Sequence, residues 1–111
     1  MLKKEHRLTK TVDIKRVFGK GRGFFSTHFS IKHFNKSNRL NFAIIISTKV
    51  SKKAVVRNRL KRIIREFIRY NTTRFLIGDY TITVKPFNPN TTEQSLLKDL
   101  ENSLTKAKLI S

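Results

Sequence analysis

Between positions 54 and 70 the chain reads AVVRNRLKRIIREFIRY, and this run restricts the possible folds more than any other. At the helical period Val56, Leu60, Ile63, Ile64 and Phe67 share one stripe. Asn58, Arg62, Arg65 and Arg69 share the opposite stripe, with Arg59 and Lys61 on its flanks. A helix divided in this way must lay one face on an apolar layer and leave the other to water or to a polyanion. Ser51 stands where it can cap the start. Lys52 and Lys53 follow it, against the positive end of the helix dipole, which points to a requirement other than stability.

The apolar layer is predicted to be a sheet. Residues 27–34 alternate, with Phe29, Ile31 and His33 on one face and Ser30 and Lys32 on the other. Residues 35–38 read as a turn. Residues 40–47 are apolar on both faces from Phe42 to Ile46, which predicts a central strand with a neighbour on each side. Residues 79–85 alternate again, Tyr80, Ile82 and Val84 inward and Thr81, Thr83 and Lys85 outward, and stop at Pro86. A short first helix is predicted from Thr11 as N-cap, Asp13 in the first turn and the stripe Ile14, Val17, Phe18, with Gly19 as its C-cap. The stretch from Gly19 to Gly23 fits neither phosphate-loop spacing nor a dinucleotide fingerprint and reads as a basic, flexible turn. A last helix is predicted after Asn90–Glu93 or Thr91–Gln94 capping, burying Leu96, Leu97, Leu100 and Leu104. The elements make one α+β layer structure over residues 1–111, with residues 1–10 as a mobile basic tail.

Charge then narrows the function. The 111 residues carry 25 Lys and Arg against 7 Asp and Glu, a formal net charge of +18. Residues 1–48 hold 11 basic and 2 acidic side chains, and residues 49–74 hold 10 basic against Glu66 alone, while residues 75–111 are neutral. So large a self-repulsion calls for a polyanionic partner, with nucleic acid ahead of an anionic membrane surface. The longest apolar run, 42–46, falls far short of the ~18 residues of a membrane span. The charged start lacks the apolar core of a secretory signal, and there is no cysteine, so a cytoplasmic domain is expected.

The inventory for protein-borne catalysis is thin. The carboxylates Glu5, Asp13, Glu66, Asp79, Glu93, Asp99 and Glu101 form no metal-spaced cluster. His28 and His33 fall on opposite faces of a strand, and His6 lies in the tail. Phe29, Phe42 and Phe67 belong to the core, whereas Phe18, Phe24, Phe25 and Phe34 remain open between core and stacking roles.

The ordered run from Ala54 to Glu66, centred on Arg57, Asn58 and Arg59, resembles the RNR motif of the bacterial ribonuclease P protein component. Arg7 and Leu8, the helix ending in Val17 and Phe18, the apolar strand running into Ser47 and Lys49, and the capped last helix also fall where that family has them. The resemblance implies a two-layer α/β sandwich with about a four-stranded mixed sheet, three helices and a left-handed βαβ crossover around the motif helix. It implies a holoenzyme endoribonuclease in which a catalytic RNA hydrolyses the bond between the 5′ leader and precursor tRNA, the chain alone not being catalytic. Lys53, Arg57, Asn58, Arg59, Lys61, Arg62, Arg65 and Arg69 would face the RNA subunit. Ile14, Phe18, Lys32, Ser47 and Lys49 would line a cleft for the leader. No cofactor is expected on the protein itself, magnesium is expected in the holoenzyme, and no membrane or obligate protein partner is expected. Ile14 stands where many members place an aromatic residue and Thr48 where many place a second base. The competing readings are a small ribosomal or other structural RNA-binding protein, a DNA-binding regulator using 54–70 as a recognition helix, and a protein-only nuclease.

Overall fold

The structure, a computed structural model, describes Arg7, residues 11–35 and residues 38–111. The expected tail is, apart from Arg7, outside the described residues, as is the middle of the 35–38 turn. In chain order the elements are α1 (Thr11–Lys20), β1 (Arg22–Phe25), β2 (Phe29–Phe34), β3 (Leu40–Ile46), α2 (Ala54–Tyr70), β4 (Gly78–Val84) and α3 (Glu93–Lys106). A 3-10 turn, Thr72–Arg74, follows α2. Three helices and one four-stranded mixed sheet make an α+β fold.

The sheet order is β1-β2-β4-β3. β1 pairs with β2 and β2 with β4 antiparallel, and β4 pairs with β3 parallel, so α2 is the crossover of a βαβ unit whose strands are neighbours. The inner strands are therefore β2 and β4, and β3 lies at the edge, contrary to its expected central place. Its two apolar faces reflect coverage from both sides of the sheet: Phe42 and Ile46 pack in the main core, and Ala43 packs with Val17 of α1. On its outer side Arg7 makes an isolated parallel bridge to Phe42.

Register divides the two sheet faces. Ile31 pairs with Ile82 and Ile82 with Ile44, while Phe42 pairs with Tyr80 and Ile46 with Val84. These side chains meet Leu60, Ile64 and Ile68 of α2 and Leu96, Leu100 and Leu104 of α3 in one core. Ile68, fully buried, lies outside the stripe expected from sequence, whereas Val56 is partly exposed at the helix start. Within this core Tyr80 stacks on Phe42, centroids 4.9 Å apart, and Phe75 meets both rings edge-on. The Tyr80 hydroxyl donates to the Leu76 carbonyl, and burial pushes its pKa up.

The opposite face is partly covered by α1 through Val17, flanked by Ile14 and Phe34. Thr81, expected to point outward to solvent, is fully buried here. Arg22 and Gly23, expected in a flexible turn over 19–23, join Phe24 and Phe25 in β1 instead, because the antiparallel partner β2 supplies the ladder that the short run could not signal alone. α1 runs through Gly19 to Lys20, and the constrained glycine is Gly21, whose amide donates to the Val17 carbonyl at 2.8 Å. A Cβ on Gly21 would sit 2.4 Å from that oxygen. Gly78 opens β4 at φ +144°, and a Cβ there would meet His33 Nε2 at 2.3 Å.

Caps also differ from expectation. Thr92 caps α3, its hydroxyl accepting from the Ser95 amide at 3.1 Å, in place of Asn90 or Thr91. Lys53 occupies the N-cap of α2 with no side-chain cap, while Ser51 Oγ, two residues earlier, accepts from the Lys53 amide at 3.2 Å.

The β1–β2 connection is held to α3 by Asp99. Its Oδ2 accepts from Ser26 Oγ at 3.0 Å, from the His28 amide at 3.0 Å and from His28 Nδ1 at 2.8 Å. Burial alone would raise the Asp99 pKa, but the hydrogen bonds from His28 and Ser26 outweigh it, and the carboxyl is held below its ordinary value. A lowered carboxylate pKa stabilises the fold above the unfolded-state pKa, and that contribution is lost as pH falls through the folded-state value. Asp99→Ala is expected to cost about 1–3 kcal/mol at neutral pH, with a smaller loss at pH 3, checked by urea unfolding at both.

Candidate nucleic-acid interface

Because Leu60, Ile64 and Ile68 are anchored in the core, the remaining positions of α2 are sorted by angle around it. Asn58, Arg62 and Arg69 are exposed along the outward stripe, and Arg65 is half-buried at its edge. Arg69 pairs with Glu66 at 3.6 Å. Arg59 reaches across to Glu93 in the first turn of α3 and so braces the two helices. Lys61 and Arg57 lie half-buried toward the sheet side. Arg57 Nη1 donates to the Ser51 carbonyl at 2.8 Å, so this side chain braces the loop entering α2. Lys53 is exposed at the N-cap. The eight positions thus share one helix and its start but not one surface: Asn58, Arg59, Arg62, Arg65 and Arg69 form the outer face, with Lys53 at its head.

The second group lies on the other side of the sheet. Lys32 Nζ donates to the Phe18 carbonyl at 3.0 Å and sits 5.4 Å from the Phe18 ring centroid. Phe18 is 40% exposed, and Ile14 packs beside it against Val17 and Ala43. Ser47 and Lys49 are exposed beyond the end of β3, the Lys49 amide donating to Ser47 Oγ at 3.2 Å. Lys32 and Ala43 both pair with Thr81, so Ser47 lies four residues further along, about 13 Å. The structure therefore brings Ile14, Phe18 and Lys32 together and places Ser47 and Lys49 at the far end of a lane.

The floor of that lane was not evident from sequence. Phe25 pairs with Ser30, Ser30 with Thr83 and Thr83 with Ile45, so four strands contribute one row on this face. Phe25 is 69% exposed, and Lys85 stands over its ring at 5.8 Å while donating to the Ser26 carbonyl at 2.7 Å. Strand parity would have found Phe25 and Lys85 had residues 22–25 been read as a strand. The β3–α2 loop, with Lys49, Lys52 and Lys53 exposed, joins the lane on one face of the sheet to the helix on the other. Among the described residues no three His, Asp or Glu side chains are grouped so that they could hold a metal ion. No helix among them is long and apolar enough to cross a membrane.

An α+β domain of this size, with an arginine-rich helix face and a basic, aromatic sheet face, has the build of an RNA-binding protein. The family model for ribonuclease P matches residues 2–108. The ribonuclease P protein component of Pseudanabaena sp. (strain PCC 6903) is 36% identical over 115 residues, covering 99% of this chain and 97% of that protein. That of Exiguobacterium sp. (strain ATCC BAA-1283 / AT1b) is 32% identical, covering 97% and 95%. The Staphylococcus aureus RNase P protein structure at 2.0 Å superposes with a TM-score of 0.88 at 26% identity, covering 97% of this chain and all of that one. The chain belongs to the ribonuclease P protein family.

Arg57→Ala is expected to lower stability by about 1–2 kcal/mol through loss of the Ser51 contact, whereas Arg62→Ala leaves stability within about 0.5 kcal/mol. Parallel urea titrations of the two variants check the division between brace and free face.

Proposed function

We propose that this chain is the protein subunit of ribonuclease P, holding the catalytic RNA on the outer face of α2 and the 5′ leader of precursor tRNA along the lane beneath α1. The observation that carries the reading is the separation of two basic surfaces by one sheet: a rigid rod of guanidinium groups on one side, and an open strand floor with Phe18, Phe25, Lys32 and Lys85 on the other. A structured RNA is met by shape and phosphate contacts, for which a helix presenting Arg62, Arg65 and Arg69 is suited. An extended leader offers unstacked bases and a flexible backbone, for which aromatic faces and spaced lysines are suited.

The phosphodiester hydrolysis belongs to the RNA subunit in this reading, and magnesium belongs to the holoenzyme. The protein's share is electrostatic and positional. Its cations neutralise phosphates on both RNAs, lowering the repulsion between substrate and ribozyme, and the lane fixes the direction in which the leader leaves the cleavage site. The setting is the cytoplasm, with RNA as the partner and no obligate protein partner.

Arg62→Ala with Arg65→Ala is expected to weaken binding to the RNA subunit and to reduce the salt slope of log K by about 1.5, with an unchanged circular dichroism spectrum. Filter binding between low and moderate salt checks this, and an unchanged slope refutes the placement of the RNA on α2. Phe18→Ala with Lys32→Ala is expected to weaken holoenzyme binding of precursor tRNA with a long leader by about tenfold while leaving mature tRNA binding unchanged. Equal loss for both substrates would remove the leader from this lane.

A further inference from the structure

The outer face of α2 is not uniformly charged. Between α2 and α3 lies a groove of about 530 Å³, floored by Ile63, Phe67 and Leu97 and bounded by Arg62, Glu66 and Tyr70. The volume is in the range that holds a small planar ligand. Tyr70 is 76% exposed at the last residue of α2, so its ring face is available to a stacking partner. The Arg69 guanidinium carbon lies 5.3 Å from its ring centroid, bracing the ring from one side.

Charge decides which part of an RNA enters. Glu66 lines the groove and pairs with Arg69, and Arg59, which also lines it, is taken up by Glu93, so a phosphate drawn inward would compete with carboxylates for these guanidinium groups. Arg62 is exposed and stands at the mouth, one helical turn from Glu66. A neutral, flat, apolar-faced group fits the interior, and an anion fits the edge. We propose that the α2–α3 groove seats one unpaired nucleobase of the RNA subunit, stacked on Tyr70, with its phosphate on Arg62. This rests on the reading of α2 as the RNA-subunit face and deepens it: the helix would recognise a splayed-out nucleotide as well as backbone charge, so its preference would be for an RNA with a bulged or looped base at that point.

The test uses Tyr70→Trp, which provides the sole tryptophan of a chain that has none. Titration with the ribonuclease P RNA is expected to quench its fluorescence through base stacking, whereas heparin, a polyanion without bases, is expected to bind without comparable quenching. Tyr70→Ala is expected to weaken RNA-subunit binding about 5- to 150-fold, the value of one base–aromatic stack, with an unchanged salt slope. Tyr70→Phe is expected to bind as the wild type does. Equal quenching by heparin and RNA, or wild-type affinity in Tyr70→Ala, overturns the base seat while leaving the electrostatic role of α2 intact. Failure of the wild-type protein to bind the RNA subunit at all would overturn both.

Discussion

The seating of Leu60, Ile64 and Ile68 against the Phe42 and Tyr80 side of the sheet sets the direction of every cation on α2. A helix has no other means of fixing its rotation about its own axis than the layer it packs on. Ile68 completes an i, i+4, i+8 row that is fully or nearly buried, and this row sends Asn58, Arg62 and Arg69 outward. The same row turns Arg57 toward the loop, where it becomes a brace. Were the helix rotated by one position, apolar surface would be exposed and the guanidinium groups would need burial, a cost far above what any surface contact returns.

The acidic side chains carry a second organising role. Each of the six described carboxylates is engaged: Asp13 with Arg16, Glu66 with Arg69, Asp79 with Asn41, Glu93 with Arg59, Asp99 with Ser26 and His28, and Glu101 with Arg74. Several of these ties join separate elements, notably α2 to α3 and the β1–β2 connection to α3. The acids are thus largely used in holding the domain together, which leaves an excess of cations on its surfaces. Net charge of this size opposes compaction, and a bound polyanion relieves it. A protein built in this way gains stability from its partner as well as affinity for it.

Three features that matter for the sites escaped linear reading for a common reason: each depends on a neighbour distant in sequence. Residues 22–25 are too short, and too close behind Gly19 and Gly21, to announce a strand, and they become one by pairing with β2. Thr81 reads as solvent-facing from alternation and is buried because α1 covers its end of the sheet. The groove beside Tyr70 needs Leu97 from α3 as well as Ile63 and Phe67. The 54–70 helix, by contrast, matched its expected bounds residue for residue, because seventeen residues of one period outweigh local noise.

By itself the sequence determined the elements with strong periodicity, the division of α2 into an apolar and a basic side, and the demand for a polyanion made by +18 over 111 residues. Those follow from local spacing and from composition, which need no knowledge of contacts. Only the tertiary structure decided that β2 and β4 are the inner strands and β3 an edge, which arginines brace and which face outward, and that Phe25 and Lys85 share a floor with Lys32. Strand order and side-chain pairing are set by the total burial and hydrogen bonding of the whole chain, and no window of neighbouring residues contains that sum.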